Sequence, residues 1–598
     1  MAFKLTDQRD MDFVLYEQFK VDSFLTSEKY QTFNKKMFDM VIKEAKNLAV
    51  KEIFPTYTQC DKEGVVFENG VVKVPECLRR PHKLLKEGEW SALTESPEYG
   101  GQGLPFTIAQ AAMEYLTGAN YVLTTYPILS HGAGKMIDLF GTGEQKDLFL
   151  KKLYTGAWGG TMLLTEPGAG SDVGALTTSA KKMDDGTYDI TGSKIFITNG
   201  EQNLTDNIIH PVLARIEGAP AGTRGISLFI VPKIWVNRDG TLGESNDVVC
   251  TGVEEKMGIH GSPTCSLSLG SKGKCRGFLL GNPNRGMEIM FHMMNEVRLE
   301  VGTQAFASAN LAYLHALDYA RQRLQGRSIE NLADHGADQV PIINHPDVKR
   351  MLLKMKAYVE GMRSLIYYVA FCFDKKETAM DKKEAMRYSN LAEILTPVVK
   401  AYSSEKGFDV CVEAMQIFGG YGYTKEYPVE QMVRDCKIAS IYEGSNGIQA
   451  MDFLGRKIAG NKGLMLEALI NEIKSTINTA REDETLNELA IKLEAALILL
   501  EKTCKNTGSA FFSKHIASAF ACAHPLLEAT GDIIMAWMLL WRANLSIKKL
   551  DTRERDFYQG KIKAAQFFIF TIIPATMGKL TAITYENNPA ASMEEHLF

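Results

Sequence analysis

The chain changes period in its middle, and this limits its possible folds more than any single motif. Residues 158–280 consist of short runs rich in β-branched and aromatic side chains, such as Lys194-Ile195-Phe196-Ile197-Thr198 and Gly225-Ile226-Ser227-Leu228-Phe229-Ile230-Val231. Asp-Gly, Asn-Gly and Gly-Thr pairs part these runs, the punctuation of a compact β domain. On either side the apolar residues recur at helical spacing. Phe38, Val41, Ile42 and Ala45 form one such stripe, residues 108–140 carry another, and the pattern resumes from residue 287. Leu466, Leu469, Ile473 and Ile477, and then Leu486, Leu489, Leu493, Leu497 and Leu500, mark two further stripes near the C-terminus. The expected fold is α+β and mainly α, divided into a helical domain over 1–157, a β domain over 158–285, a helical bundle over 286–457 and additional helices over 458–598. Residues 54–74, with Pro55, Gly64, Gly70 and an alternating Val65-Val66-Phe67, read as a loop-rich excursion within the first domain.

Charge and composition exclude several functions. With 67 Lys+Arg against 72 Asp+Glu in 598 residues, there is no basic field to neutralise a nucleic acid. The N-terminus scatters Asp7, Arg9, Asp10 and Asp12 among its apolar residues, so no signal peptide is expected. The most apolar stretches, 533–541 and 567–573, fall short of the roughly 20 residues needed to span a bilayer and read as buried helices. Ten cysteines without a C-x-x-C pair fit reduced thiols in the cytoplasm, with no disulfide frame and no metal site expected.

Three segments carry chemistry. Thr161-Met162-Leu163-Leu164-Thr165-Glu166-Pro167-Gly168-Ala169-Gly170-Ser171-Asp172 reads as a strand entering a glycine-rich turn. Such a turn lets backbone N–H groups approach a phosphate or a flat ring, or is a plain hairpin turn. It is not a Rossmann fingerprint, because the third glycine, Gly174, comes one place late and no βαβ helix follows. Gly192-Ser193-Lys194-Ile195-Phe196-Ile197-Thr198-Asn199-Gly200 reads as a strand ending in an Asn-Gly hairpin turn. Its alternation puts Phe196 and Thr198 on one face, where they touch a planar ligand or pack across strands. The third segment runs from Gln416, Gly419 and Gly420 to Ile441-Tyr442-Glu443-Gly444-Ser445. Glu443, set between Tyr442 and Gly444, is either a base sharpened by desolvation or a solvated loop acid.

The three segments, in this order around a β domain, resemble the acyl-CoA dehydrogenase family of flavoproteins over residues 32–457. Thr165 to Asp172, Arg434-Asp435-Cys436-Lys437 and Ile441 to Gly444 are the most specific parts of the match. Lys256-Met257-Gly258-Ile259-His260-Gly261, Asn295-Glu296-Val297-Arg298 and the C-terminal helices are most similar to the longer bacterial branch that includes 3-methylmercaptopropionyl-CoA dehydrogenase.

The resemblance implies an FAD-dependent oxidoreductase of the β-oxidation type. Such an enzyme converts an acyl-CoA thioester to the trans-2-enoyl-CoA and passes electrons to an electron-transfer flavoprotein. It implies Glu443 as the catalytic base, with the thioester carbonyl held by an adjoining backbone N–H. FAD contacts are implied at Leu164, Thr165, Gly170, Ser171, Phe196, Thr198 and Ser445, and substrate contacts at Ser171, Asn295, Arg298, Tyr442 and Gly444. Arg323, Gln416, Gly419 and Gly420 are implied to reach the FAD of a neighbouring subunit in a homodimer or a dimer of dimers. Phe196 stands where many relatives carry Trp, Asn295 where many carry Asp, and Gly447 where Gln is common. Tyr121-Val122-Leu123 lacks the Arg expected of a glutaryl-CoA enzyme, so the resemblance favours a neutral acyl chain. An oxidase on the same scaffold and a non-catalytic family-derived binding protein are the alternatives.

Overall fold

The computed structural model describes residues 5–331, 333–334, 336–442, 444–583 and 588–598. They form two compact units, one of residues 41–297 and one joining the segment up to residue 40 with residues 298–598.

In the first unit the long helix Phe106–Phe140 is buried along most of its length. It kinks at Asn120 (φ −165°, ψ 97°), where the side chain leaves the helical pattern and donates to Thr56 Oγ1 at 3.0 Å. Thr142 and Gln145 form a reciprocal capping box that starts Gly143–Tyr154. The excursion over 54–74 is more ordered than its composition suggests. It holds the helix Tyr57–Glu63 and a hairpin of β1 (Val66–Glu68) and β2 (Val71–Lys73). Asn69 and Gly70 make this turn with φ of 51° and 80°, the paired positive values a tight hairpin needs.

The β domain follows with β3 (Gly159–Gly160), β4 (Ser179–Lys182), β5 (Tyr188–Thr198), β6 (Ile208–Ile216), β7 (Ile226–Pro232), β8 (Ile234–Val236), β9 (Leu242–Ser245), β10 (Val248–Val253), β11 (Thr264–Leu269) and β12 (Arg276–Leu280). The main sheet runs β10-β11-β5-β12-β7-β6-β3, with β4 paired to β5 and β6. Every residue of β7 and most of β6 are buried, which is why these strands read as unbroken apolar runs and not as alternation. β5 departs from expectation in two ways. Its register against β11 slips between Lys194↔Leu267 and Ile197↔Cys265, a bulge with Phe196 at φ +58°. Phe196 is 58% exposed and Thr198 half-buried, with the buried Ile197 between them. Asn199-Gly200 turns the chain into a loop and not into a two-residue hairpin, since β5 and β6 are not neighbours. Asn199 is tied into this loop by donating to Thr125 Oγ1 at 3.1 Å and accepting from Ser262 Oγ at 3.2 Å.

In the second unit the helices Pro346–Glu377 and Lys382–Phe418 pack as a hairpin, and Asp381 caps the second of them by accepting from Lys383 N and Glu384 N. The appended helices are Leu464–Arg481, Glu484–Phe511, Ala523–Ile547 and Arg555–Ala582. Both leucine-rich stripes are buried, as are residues 533–540. A Cβ added at Gly531 would lie 2.1 Å from the Tyr402 ring, so the helix Ala523–Ile547 sits hard against Lys382–Phe418. Among the described residues no helix is long and apolar enough to cross a membrane.

The N-terminal segment joins this unit through buried charge. Asp10 accepts from Arg363, Arg542 and Lys561, and Lys561 also donates to Glu360 at 2.7 Å. Burial alone would raise the Asp10 carboxyl, but the three cations hold it well below its ordinary value.

Candidate active site

Within residues 41–297 the first two chemical segments lie side by side. Residues 161–163 run along β6, with Leu163 N donating to Pro211 O at 2.8 Å, and Ile195 N of β5 then donates to Thr165 O at 2.9 Å. Glu166 and Ala169 exchange backbone hydrogen bonds of 3.1 and 3.0 Å, closing the turn. A Cβ at Gly168 or Gly170 would meet nothing within 4 Å, so this backbone stands open to an approaching group. Leu164, Thr165 and Thr198 are half-buried, and Gly170, Ser171 and Phe196 are exposed.

Beneath this surface lies an ion pair that the sequence reading passed over. Lys194 is fully buried and donates to Leu164 O at 3.1 Å, Leu213 O at 2.9 Å and Glu166 Oε1 at 2.8 Å. Glu166 also accepts from the backbone N–H and hydroxyl of both Thr177 and Thr178. Burial lowers the Lys194 ammonium and opposes the Glu166 carboxylate, and the attraction of Lys194 keeps that carboxylate ionised. A lysine at the buried parity of a strand, four residues after Ile190, was the signal for this pair. Lys194→Met should therefore leave the buried Glu166 carboxylate without its counter-charge and lower the unfolding free energy by about 3–5 kcal/mol, read by denaturant unfolding.

Asn295 is half-buried on the helix Gly286–Gln322. Arg298 belongs to the second unit, where it is buried and donates to Asp452 Oδ2 at 2.9 Å. Its charge is thus largely spent on Asp452.

The second unit brings Arg323 together with the glycine pair. Tyr319, Arg323, Gln325, Ile342, Ile417, Phe418, Gly419, Gly420, Tyr421 and Thr424 line a cavity of about 490 Å³. Tyr319 stacks on Phe418 with ring centroids 4.2 Å apart, giving the cavity an aromatic wall. Gly419, at φ +61°, ends the helix Lys382–Phe418, and no atom lies within 4 Å of a Cβ built at Gly419 or Gly420. An exposed guanidinium beside uncrowded glycine backbone and an aromatic wall suits an anionic, ring-bearing ligand. Gln416 is exposed one turn before the pair, outside the cavity lining.

Glu443 lies outside the described residues. Its neighbours are anchored. Tyr442 donates from its hydroxyl to Gln304 Oε1, and its N–H bonds Ile438 O at 3.1 Å. Gly444 takes φ +78°, and its carbonyl accepts from the buried Gln449 Nε2 at 3.1 Å. Ser445 is the N-cap residue of the helix Asn446–Asp452, its hydroxyl making no cap bond. Among the described residues no group of three or more His, Cys, Asp or Glu side chains is placed to hold a metal ion.

Comparison with known proteins places this architecture. Residues 36–157, 161–271 and 284–458 match the N-terminal, middle and C-terminal domains of acyl-CoA dehydrogenase, and residues 469–594 match the domain described as acetyl-CoA dehydrogenase C-terminal like. The chain belongs to the acyl-CoA dehydrogenase family, in the long form with an additional C-terminal helical domain. It is 35% identical to a butyryl-CoA dehydrogenase of Syntrophomonas wolfei, with 99% of each chain covered. It is 37% identical to the 3-methylmercaptopropionyl-CoA dehydrogenase of Ruegeria pomeroyi, covering 89% of this chain and 90% of that one. A solved Bacillus anthracis acyl-CoA dehydrogenase complexed with FAD shares the fold, with a TM-score of 0.71 at 24% identity over 95% of this chain and 92% of its own.

Proposed function

We propose that this enzyme is an FAD-dependent dehydrogenase of a neutral acyl-CoA. It forms the trans-2-enoyl-CoA and delivers the electrons to an electron-transfer flavoprotein. The observation that carries this reading is the cavity of Arg323, Gly419 and Gly420, together with the open Gly168–Gly170 turn held beside β5. The first sets an exposed guanidinium beside glycine backbone that nothing crowds, and the second is a glycine turn open to approach. Leu164, Thr165, Gly170, Ser171, Phe196, Thr198 and Ser445 would hold FAD, with Arg323, Gln416, Gly419 and Gly420 reaching the FAD of a partner subunit. Asn295, Arg298, Tyr442 and Gly444, with Ser171, would line the thioester's path.

A thioester α-hydrogen is weakly acidic, so its removal needs a fixed base and a donor on the carbonyl oxygen where charge develops. Glu443 takes this proton, and an adjoining N–H polarises the carbonyl. When bound, FAD supplies the acceptor for the β-hydrogen, which leaves with its electron pair. Tyr442 and Gly444, its neighbours along the chain, are each hydrogen-bonded to a glutamine, Gln304 and Gln449. The names of both relatives denote neutral, unbranched acyl chains, which supports a neutral substrate. Ten cysteines without a C-x-x-C pair support a cytoplasmic setting.

Purified protein should be yellow and carry about one FAD per chain in an assembly no smaller than a dimer. Absorbance with sedimentation checks both, and a colourless chain that stays so in excess FAD contradicts the reading. Arg323→Ala should weaken FAD retention about 10- to 100-fold, the loss of a charge-assisted hydrogen bond, measured by flavin release on dilution.

A further inference from the structure

The loop of residues 254–263, between β10 and β11, holds a backbone that its own residues do not favour. Ile259 is buried there at φ +50°, in the left-handed region that a β-branched side chain rarely enters. A conformation of that kind persists only where the surroundings hold it. Here they do so from two sides, both within residues 41–297.

The first hold comes from the excursion. Its helix Tyr57–Glu63 carries Asp61, whose Oδ1 lies 2.8 Å from His260 Nδ1. The other ring nitrogen, Nε2, donates to Lys256 O at 2.9 Å, so one imidazole spans the start of the loop and ties it to that helix. Lys256 Nζ in turn donates to Ser262 O at 2.6 Å, and Ser262 N donates to Ile259 O at 3.0 Å, which closes the turn around Ile259. Packing backs these bonds. A Cβ added at Gly261 would lie 2.0 Å from Cys60 Sγ, on the same helix as Asp61, and 3.3 Å from Pro75 Cγ, so the excursion sits directly on the loop.

The second hold is on β5. Pro263 O accepts from Asn199 N at 2.8 Å, Ser262 Oγ donates to Asn199 Oδ1 at 3.2 Å, and Thr264 stands opposite Thr198 in the sheet. Asn199 is buried and itself left-handed, at φ +56°, with its Nδ2 given to Thr125 Oγ1 at 3.1 Å. Thr198 is therefore placed by the residue after it and by the strand opposite, and both are joined to the loop that Asp61 and His260 hold.

We infer that Asp61 and His260 are positioning residues: through residues 256–263 and Asn199 they set the end of β5 where Thr198 meets the flavin. This rests on the reading that Thr198 contacts FAD, and it gives the excursion a part in cofactor binding. Without the clasp Ile259 falls back to a negative φ, and the turn that carries Ser262 and Pro263 shifts against Asn199.

The test uses the full-length protein. Asp61→Ala should weaken FAD retention about 10-fold, the weight of one displaced hydrogen bond, measured by flavin release on dilution. It should also alter the visible circular dichroism of the bound flavin and, in the apoprotein, quicken amide hydrogen exchange over residues 198–200 and 256–263. His260→Ala, which opens the clasp from the other partner, should do the same. Asp61→Asn is the rescue, because its amide still hydrogen-bonds Nδ1, and it should stay close to wild type in all three readouts. Faster exchange in Asp61→Ala with wild-type flavin release and dichroism would make the clasp structural only and overturn the proposal, as would wild-type exchange. If the wild-type chain itself takes up no FAD, the flavin reading falls and the proposal with it, whereas failure of the proposal alone shows against a wild type that binds FAD normally.

Discussion

Glu443→Gln should bind FAD and acyl-CoA as the wild type does and leave the flavin oxidised. The amide preserves shape and one hydrogen-bond acceptor but cannot take the α-proton. Loss of a general base costs at least ~10²-fold in rate, and more where the proton is as weakly acidic as that α to a thioester. The carboxylates near Glu443 along the chain are poor substitutes: Asp435 is buried and accepts from Gln431 Nε2 at 3.1 Å, and Asp452 is buried and paired with Arg298 and Arg456. Glu430 is engaged with Arg434 at 2.6 Å, and Glu426 is exposed before the helix Val429–Cys436. Rapid-mixing absorbance at the flavin band, under nitrogen, measures the effect. Reduction at near wild-type speed would assign the proton transfer to another group.

The second large effect belongs to stability. Asp10→Ala should lower the unfolding free energy of the second unit by about 3–5 kcal/mol, because it leaves Arg363, Arg542 and Lys561 buried around a vacated carboxylate. Glu360 remains, but it already serves Lys561 and Lys356. Asp10→Asn should fall between, keeping hydrogen bonds and losing charge. The sign with pH follows from the depressed Asp10 pKa. The contribution is full above the ordinary carboxylate range and is lost as pH falls through the lower folded value. Urea unfolding followed through Trp537 and Trp541, on the helix that carries Arg542, reads the change. An unchanged midpoint would mean that the N-terminal segment is not held by this charge.

The parts of the fold written in local pattern were legible in the sequence. Residues 466–477 and 486–500 announce their helices because each buries one stripe, and the change of period at residue 158 marks where the sheet begins. Strand order was not legible. β5 lies between β11 and β12, far along the chain, and nothing near Asn199-Gly200 says that the next strand will pair elsewhere. The bulge at Lys194–Ile197 was not legible either, because period-two reasoning assumes an unbroken ladder and the bulge lies in the register with β11. Of the candidate site, the glycine-rich turn at 168–170 was read from residue type with a plain hairpin turn as its alternative, and Gly419 and Gly420 came from the family resemblance. Arg298 was named through the same resemblance, but its pairing with Asp452 was not legible, because Asp452 is far away in sequence. The buried partners of Lys194 and Asp10 were missed for the same reason. Each is a polar residue whose burial makes sense only with distant partners in place.

The central claim is that this chain takes a hydride equivalent from an acyl-CoA and yields it to a protein acceptor and not to oxygen. A dehydrogenase site that keeps its enoyl product bound excludes water and oxygen from the reduced cofactor. The most direct measurement is a two-stage mixing experiment. FAD-loaded enzyme is first bleached under nitrogen with butyryl-CoA or 3-methylmercaptopropionyl-CoA, then mixed with air-saturated buffer or with an electron-transfer flavoprotein. The account predicts bleaching by at least one of these neutral esters, slow recovery of the yellow colour in air and rapid recovery with the flavoprotein. No bleaching with either ester, or fast recovery in air with hydrogen peroxide formed and no response to the flavoprotein, would contradict it.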